Sequence, residues 1–158
     1  MRGASFAAAS ASLAIACSSL DPRTGPAQPM TCMNADSDPT TMVNFRTDIR
    51  PLMNRGPYSP SGAGCSTCHY PTGTQKLGIT QSGLDLSTLG KLRQGGKTTS
   101  DYIIDTDEPC GSGLVMKLMG TDPLAPTRMP KLAAPWKPSE IQLVIDWMIE
   151  GANGSDDE

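Results

Sequence analysis

Histidine is almost absent: the 158-residue chain has one. Ligation of a metal by two imidazoles of the same chain is thereby excluded. Aromatic residues are also scarce, with two Phe, three Tyr and two Trp making up 4% of the chain. The hydrophobic share is 37%, a thin supply for a large self-sufficient core. Positive charge is not in excess, since 13 Lys and Arg face 16 Asp and Glu for a net −3. That balance excludes a basic nucleic-acid binder. No apolar run reaches the roughly 20 residues of a permanent membrane span. Sixteen Gly and fourteen Pro make the chain loop-rich, yet their share stays below the roughly 25–30% of low-complexity disorder. One domain of this kind needs a disulfide, a metal or a cofactor to hold it together.

Residues 1–16 read as a secretory signal. Arg2 supplies a short positive region, and the uncharged run that follows is small and apolar. It ends Leu13-Ala14-Ile15-Ala16-Cys17. This end resembles the lipobox of bacterial lipoproteins, with Cys17 as the lipid-bearing residue. A plain signal cleaved near Ala16 is the alternative. Both readings place the mature protein outside the cytoplasm, in the periplasm or outer envelope, where thiols oxidise. Residues 17–40 are rich in Ser, Pro, Asp and Thr without apolar period and read as a flexible tether. Residues 41–152 form the predicted domain, and 153–158 a solvated acidic tail.

The chemistry sits in Cys65-Ser66-Thr67-Cys68-His69. Two thiols three positions apart match the two vinyl groups of a haem, and the next residue places an imidazole under the iron. Chance would produce this order about once in a thousand shuffles of five Cys and one His. The sole histidine of the chain falls at that position. The expected cofactor is thus one covalent haem c, with Cys65 and Cys68 as thioethers and His69 as proximal ligand. Competing readings are a thioredoxin-like redox pair, which wants a leading strand that is not evident here, and a zinc site drawing on Cys32, Cys65, Cys68, His69 and Cys110. Once Cys17, Cys65 and Cys68 are assigned, Cys32 and Cys110 remain. An intramolecular bridge between them would contribute roughly 4 kcal/mol in the chain-entropy model. Two free thiols or an intermolecular bridge are the alternatives.

With one His, the distal ligand must be Met, Lys, water or nothing. Met129 stands out among nine methionines because it lies in a proline-studded loop without helical period, sixty residues after His69. Met116 and Met119 sit in a short amphipathic run and are the fallback. Arg128, Lys131 and Lys137 surround Met129 in sequence; Arg128 and Trp136 are candidates for the haem edge or its propionates.

Phe45, Asp48-Ile49 and Pro51-Leu52 precede the Cys65–His69 motif. Gly83-Leu84-Asp85-Leu86, Met129-Pro130, Trp147-Met148-Ile149 and Gly151-Ala152 follow it. This order resembles the single-haem class I cytochromes c, in the divergent branch called planctomycete-type. The likeness covers residues 43–152, apart from the insert NRGPYSPSGAG before the motif and Cys110. It implies electron transfer to a redox protein partner through a His/Met haem. A five-coordinate haem that binds ligands or reacts with peroxide is the alternative, as is an electron-entry subunit of a larger enzyme.

The predicted fold is all-α with long loops. Ser139 and Gln142 look like the capping box of a last helix whose Ile141, Val144, Ile145, Met148 and Ile149 share one face. Gly151 suits its left-handed end. An earlier helix is expected from about Thr40 to Met53, with Phe45 meeting Trp147. Leu84, Leu86, Leu89 and Leu92 suggest a short middle helix.

Overall fold

The computed structural model describes residues 30–59, 62–99, 102–124, 127–131 and 133–158. The predicted signal, Cys17 and the first part of the tether lie outside them. Among the described residues the regular elements are all helical and there is no strand. None of these helices is long and apolar enough to cross a membrane. A π-helical turn, Phe45–Ile49, runs into α1, Arg50–Met53. Then come α2, Ser66–His69; α3, Leu77–Ser82; and α4, Leu89–Gln94. A 3₁₀ turn, Pro109–Gly111, precedes α5, Gly113–Met119, and α6, Pro138–Ile149, closes the series.

The core is built on α6. Ile141, Val144, Ile145 and Met148 are buried and Ile149 is half-buried against the core, so the apolar face expected from the spacing is the face that packs; Trp147 is buried beside it. Phe45 meets Trp147 with ring centroids 5.3 Å apart, as expected. The start of α6 differs from the predicted one. Pro138 takes the first helical position, where its missing N–H costs nothing, and Lys137 is the N-cap residue. The Glu140 carboxylate accepts the Lys137 N–H at 2.9 Å. Gln142 caps nothing: its amide donates to Ala35 O and to Asp146 Oδ1. The end is as predicted. Gly151 has φ +95°, and the Gly151 and Ala152 N–H groups return to Met148 O and Trp147 O in a Schellman arrangement.

The first helix begins five residues later than expected. Asn44 caps it, accepting from Arg46 N and Thr47 N, while Asp48 accepts the Asn44 N–H. Pro51 falls in the first turn of α1, a position that tolerates its missing N–H. The described part of the predicted tether, from residue 30 on, is docked on the domain. Ser37 donates its N–H and its hydroxyl to the buried Asp146 carboxylate at 3.0 and 2.6 Å. Val43 N–H donates to Glu150 Oε2 at 2.6 Å. Cys32 is bonded to Cys110 with a Cα–Cα distance of 5.8 Å and 78 positions of separation. The Cys110 N–H also donates to Asn34 Oδ1.

The middle of the chain splits in two. Leu89 and Leu92 lie on α4, capped by Thr88, but Leu84 and Leu86 lie in the non-helical stretch before it. Their alternate spacing has the period of an extended chain rather than of a helix. Residues 153–158 fold back over the start of α4: Leu89 N–H donates to Glu158 O and Gly90 N–H to Asp156 O. The acidic stretch is thus tied down at its backbone instead of trailing in solvent.

The bridge joins segments far apart in sequence, so its loss acts mainly through the unfolded chain. Cys32→Ser with Cys110→Ser should lower the unfolding free energy of the protein by about 2–4 kcal/mol in urea titration. Thiol titration of the denatured wild type without reductant should detect neither cysteine.

Candidate functional site

The end of α1 delivers the chain to Cys65 through a pinched loop. Cys65 N–H donates to Met53 O at 2.7 Å and Gly64 N–H to Arg55 O at 3.2 Å. The two ends of this stretch, at Met53–Arg55 and Gly64–Cys65, are therefore held together. Gly64 is required there, since a Cβ would lie 2.3 Å from Met53 O. Cys65 is thus kept beside the end of α1. Trp136 stands behind this crossing, fully buried, and its indole N–H donates to Ala63 O at 2.8 Å. That bond uses the only donor of the indole. Arg55 lies 5.9 Å from the Trp136 ring centroid and pairs with Glu140 at 2.7 Å. The two side chains of the pair are only 17% and 13% exposed.

α2 is a single turn that carries both thiols and the imidazole. Cys68 N–H and His69 N–H both donate to Cys65 O, so the three side chains leave the turn at helical spacing. Cys65 and Cys68 are free and half-buried. Burial pushes the Cys65 thiol up to about 12, helped by the neighbouring Cys68. His69 Nδ1 lies 2.9 Å from Leu84 O. A carbonyl can only accept, so Nδ1 carries the proton and Nε2 keeps its lone pair. Burial holds the imidazole pKa below its ordinary value, against the opposing pull of the Leu84 bond and Asp85. Leu86 N–H donates to His69 O at 2.9 Å, so residues 84–86 grip the histidine by ring and by backbone. Gly78 of α3 lies so near the ring that a Cβ would be 2.5 Å from Cε1. Tyr70 then anchors the following residue, its hydroxyl donating to Asn54 Oδ1 at 2.7 Å.

Met129 is held elsewhere, from α5. Its N–H donates to Lys117 O at 2.8 Å, and the bond to Pro130 is cis. Met119, the fallback ligand, is a core residue, and Met116 is half-buried. Arg128 is buried rather than on the rim: its Nη2 donates to Ala133 O at 3.0 Å and its stem lies against Gly120. The structure therefore gathers Cys65, Cys68 and His69 with Trp136 behind them, and anchors Arg128 and Met129 to α5 and its loop. Sequence reasoning missed Leu84 as the partner of Nδ1, Gly78 as the floor of the ring, and the Arg55–Glu140 pair. Only the alternating Gly83-Leu84-Asp85-Leu86 stretch carried a readable signal.

The donor set discriminates among chemistries. Cys32 and Cys110 are used by their bridge, which removes two of the five zinc candidates. Among the described residues no group of three or more His, Cys, Asp or Glu could hold a metal ion. A haem iron brings four nitrogens of its own and asks the protein for axial ligands only, which an imidazole with a free Nε2 fits. Two thiols at this spacing fit covalent attachment. Comparison with protein-family models, curated proteins and solved structures finds no match to this chain.

Two substitutions test these contacts. Gly78→Ala should crowd the His69 ring and lower stability by about 1–3 kcal/mol in urea. Gly56→Ala, where a Cβ meets nothing within 4 Å, is the neutral control. For Glu140, burial raises the carboxyl pKa, but the Arg55 hydrogen bond and the Lys137 N–H outweigh it and hold it below the usual value. A lowered folded pKa gives stability that is present above the unfolded value, about 4.3, and lost as pH falls through the folded one. Glu140→Gln should therefore cost about 1.5–3 kcal/mol at pH 7, and the difference from wild type should shrink below about pH 4. Denaturant titrations at the two pH values measure it.

Proposed function

We propose that the chain is an exported single-haem c-type cytochrome with a cytochrome c-like all-α fold, carrying one electron between redox proteins. The observation that carries this reading is the Cys65–Cys68–His69 turn with His69 Nδ1 fixed on Leu84 O. A bound haem supplies an iron that alternates between ferrous and ferric states. Cys65 and Cys68 hold it by thioethers, and His69 offers Nε2 as the proximal ligand. The Leu84 carbonyl fixes the ring plane and the tautomer and raises the basicity of Nε2. Met129 would supply the second protein ligand of such an iron, and a thioether there would favour the ferrous state. Trp136, bonded to Ala63 O, and the Arg55–Glu140 pair brace the chain that enters the motif. The Cys32–Cys110 bridge supports an oxidising compartment. Cys17 carries a lipid that keeps the protein at a membrane.

Expression with the signal in a host that matures c-type cytochromes provides the test. The expected outcome is a band that stains for haem after denaturing electrophoresis, and a low-spin spectrum. Met129→Ala should keep the stain, lower the reduction potential and admit carbon monoxide to the ferrous protein. Absence of stain, with good export and a control cytochrome that matures, overturns the proposal. A cooperative thermal transition in the Cys65→Ala, Cys68→Ala double variant would contradict the expectation that haem burial is part of the stability.

A further inference from the structure

At the end of the core where Phe45 and Leu89 meet, residues 153–158 are held by two kinds of contact. The backbone contacts replace a missing turn of helix. Leu89 and Gly90 open α4, and such first-turn N–H groups have no partner within their own helix. Glu158 O and Asp156 O accept them at 2.7 and 3.0 Å, while Thr88 Oγ1 accepts the Lys91 N–H. Gly90 makes room for this approach, since a Cβ there would lie 2.8 Å from Asp156 O. Gly154 lies against the core itself: a Cβ there would lie 2.6 Å from Leu89 Cδ2 and 3.2 Å from Phe45 Cβ. Asn153 O accepts the Trp147 indole N–H at 2.9 Å.

The side-chain contacts are electrostatic and weak. Asp156 pairs with Arg93, and these side chains are 74% and 38% exposed. Asp157 and Glu158 share a cleft of about 480 Å³ with Arg46, Arg50 and Ser155. Three acids therefore face three arginines supplied by the π turn, α1 and α4. Exposed pairs of this kind are each worth little and are screened by salt. The closed state also carries a cost. Arg50 Nη1 and Glu158 Oε2 are buried without a hydrogen-bond partner among the described residues, so a donor and an acceptor stay dehydrated. The chain reverses into the segment at Gly151 and Ala152, with φ +95° and +50°.

We infer that residues 153–158 are a salt-releasable strap, hinged at Gly151–Ala152, that gates the Phe45–Leu89 end of the core. Hydrogen exchange of the full exported protein, in about 20 mM and in about 1 M NaCl, reads the strap directly. The Leu89 and Gly90 amides and the Trp147 indole should exchange about three- to fivefold faster at high salt, the release expected of the exposed Arg93–Asp156 pair with the Asp157 and Glu158 charges beside Arg46 and Arg50, while the Ile145 amide stays unchanged. A change at Leu89 and Gly90 below about twofold, or one in step with Ile145, overturns the inference. The Asp156→Asn, Asp157→Asn variant should show the fast rates already at low salt and little further response. Retention of the wild-type salt response in that variant would equally overturn the role of these charges.

Discussion

The fold depends on the burial of one face of α6. Isolated helices shorter than about 12–15 residues are marginal in water. Only α6, with twelve residues, approaches that length; the other α-helices have four to seven. They are stable because something outside them satisfies their ends and covers their apolar side. α6 supplies much of that cover through Ile141, Val144, Ile145, Trp147 and Met148. Its outer side is equally employed. Asp146 and Glu150 receive Ser37 and Val43, so the segment leading in from Cys32 becomes part of the domain.

The candidate site inherits this arrangement. α2 is one turn long and has no buried residue of its own. Its position is set by neighbours: Met53 O on the Cys65 side, Leu84 and Leu86 on the His69 side. Glycines at 64, 73 and 78 allow backbone or ring to approach where any side chain would collide. A ligating imidazole needs this kind of support, because the orientation of its ring decides whether Nε2 faces a metal. The same economy of structure appears at the other end, where carbonyls of residues 156 and 158 cap α4 in place of a preceding turn.

Several features were legible in the sequence because they are local. The Cys65–His69 spacing is covalent arithmetic, and the apolar face of α6 follows from a period of 3.6 residues. Gly151 ends α6 because a left-handed residue is needed there. The start of α6 was misread because Ser139 and Gln142 mimic a cap, whereas Pro138 at the first position moves the cap to Lys137. The middle helix was misread because four leucines share an apolar character without sharing a period; Leu84 and Leu86 serve His69 instead.

Two further features separate composition from structure. Residues up to 40 look like a linker and 153–158 like a solvated tail, because both are polar and lack period. Their partners are distant: Ser37 meets Asp146 and Asp156 meets Arg93. No local pattern encodes such pairings, since each is made by packing that the remainder of the chain must first achieve. The sequence by itself determined the chemistry available, two thiols and one imidazole on a single turn, two more cysteines left to pair, and a helical core with few aromatics. The tertiary structure alone decided which carbonyl holds His69, where the insert closes and what covers the start of α4. Those outcomes rest on contacts between segments tens of residues apart, whose geometry exists only once the core is formed.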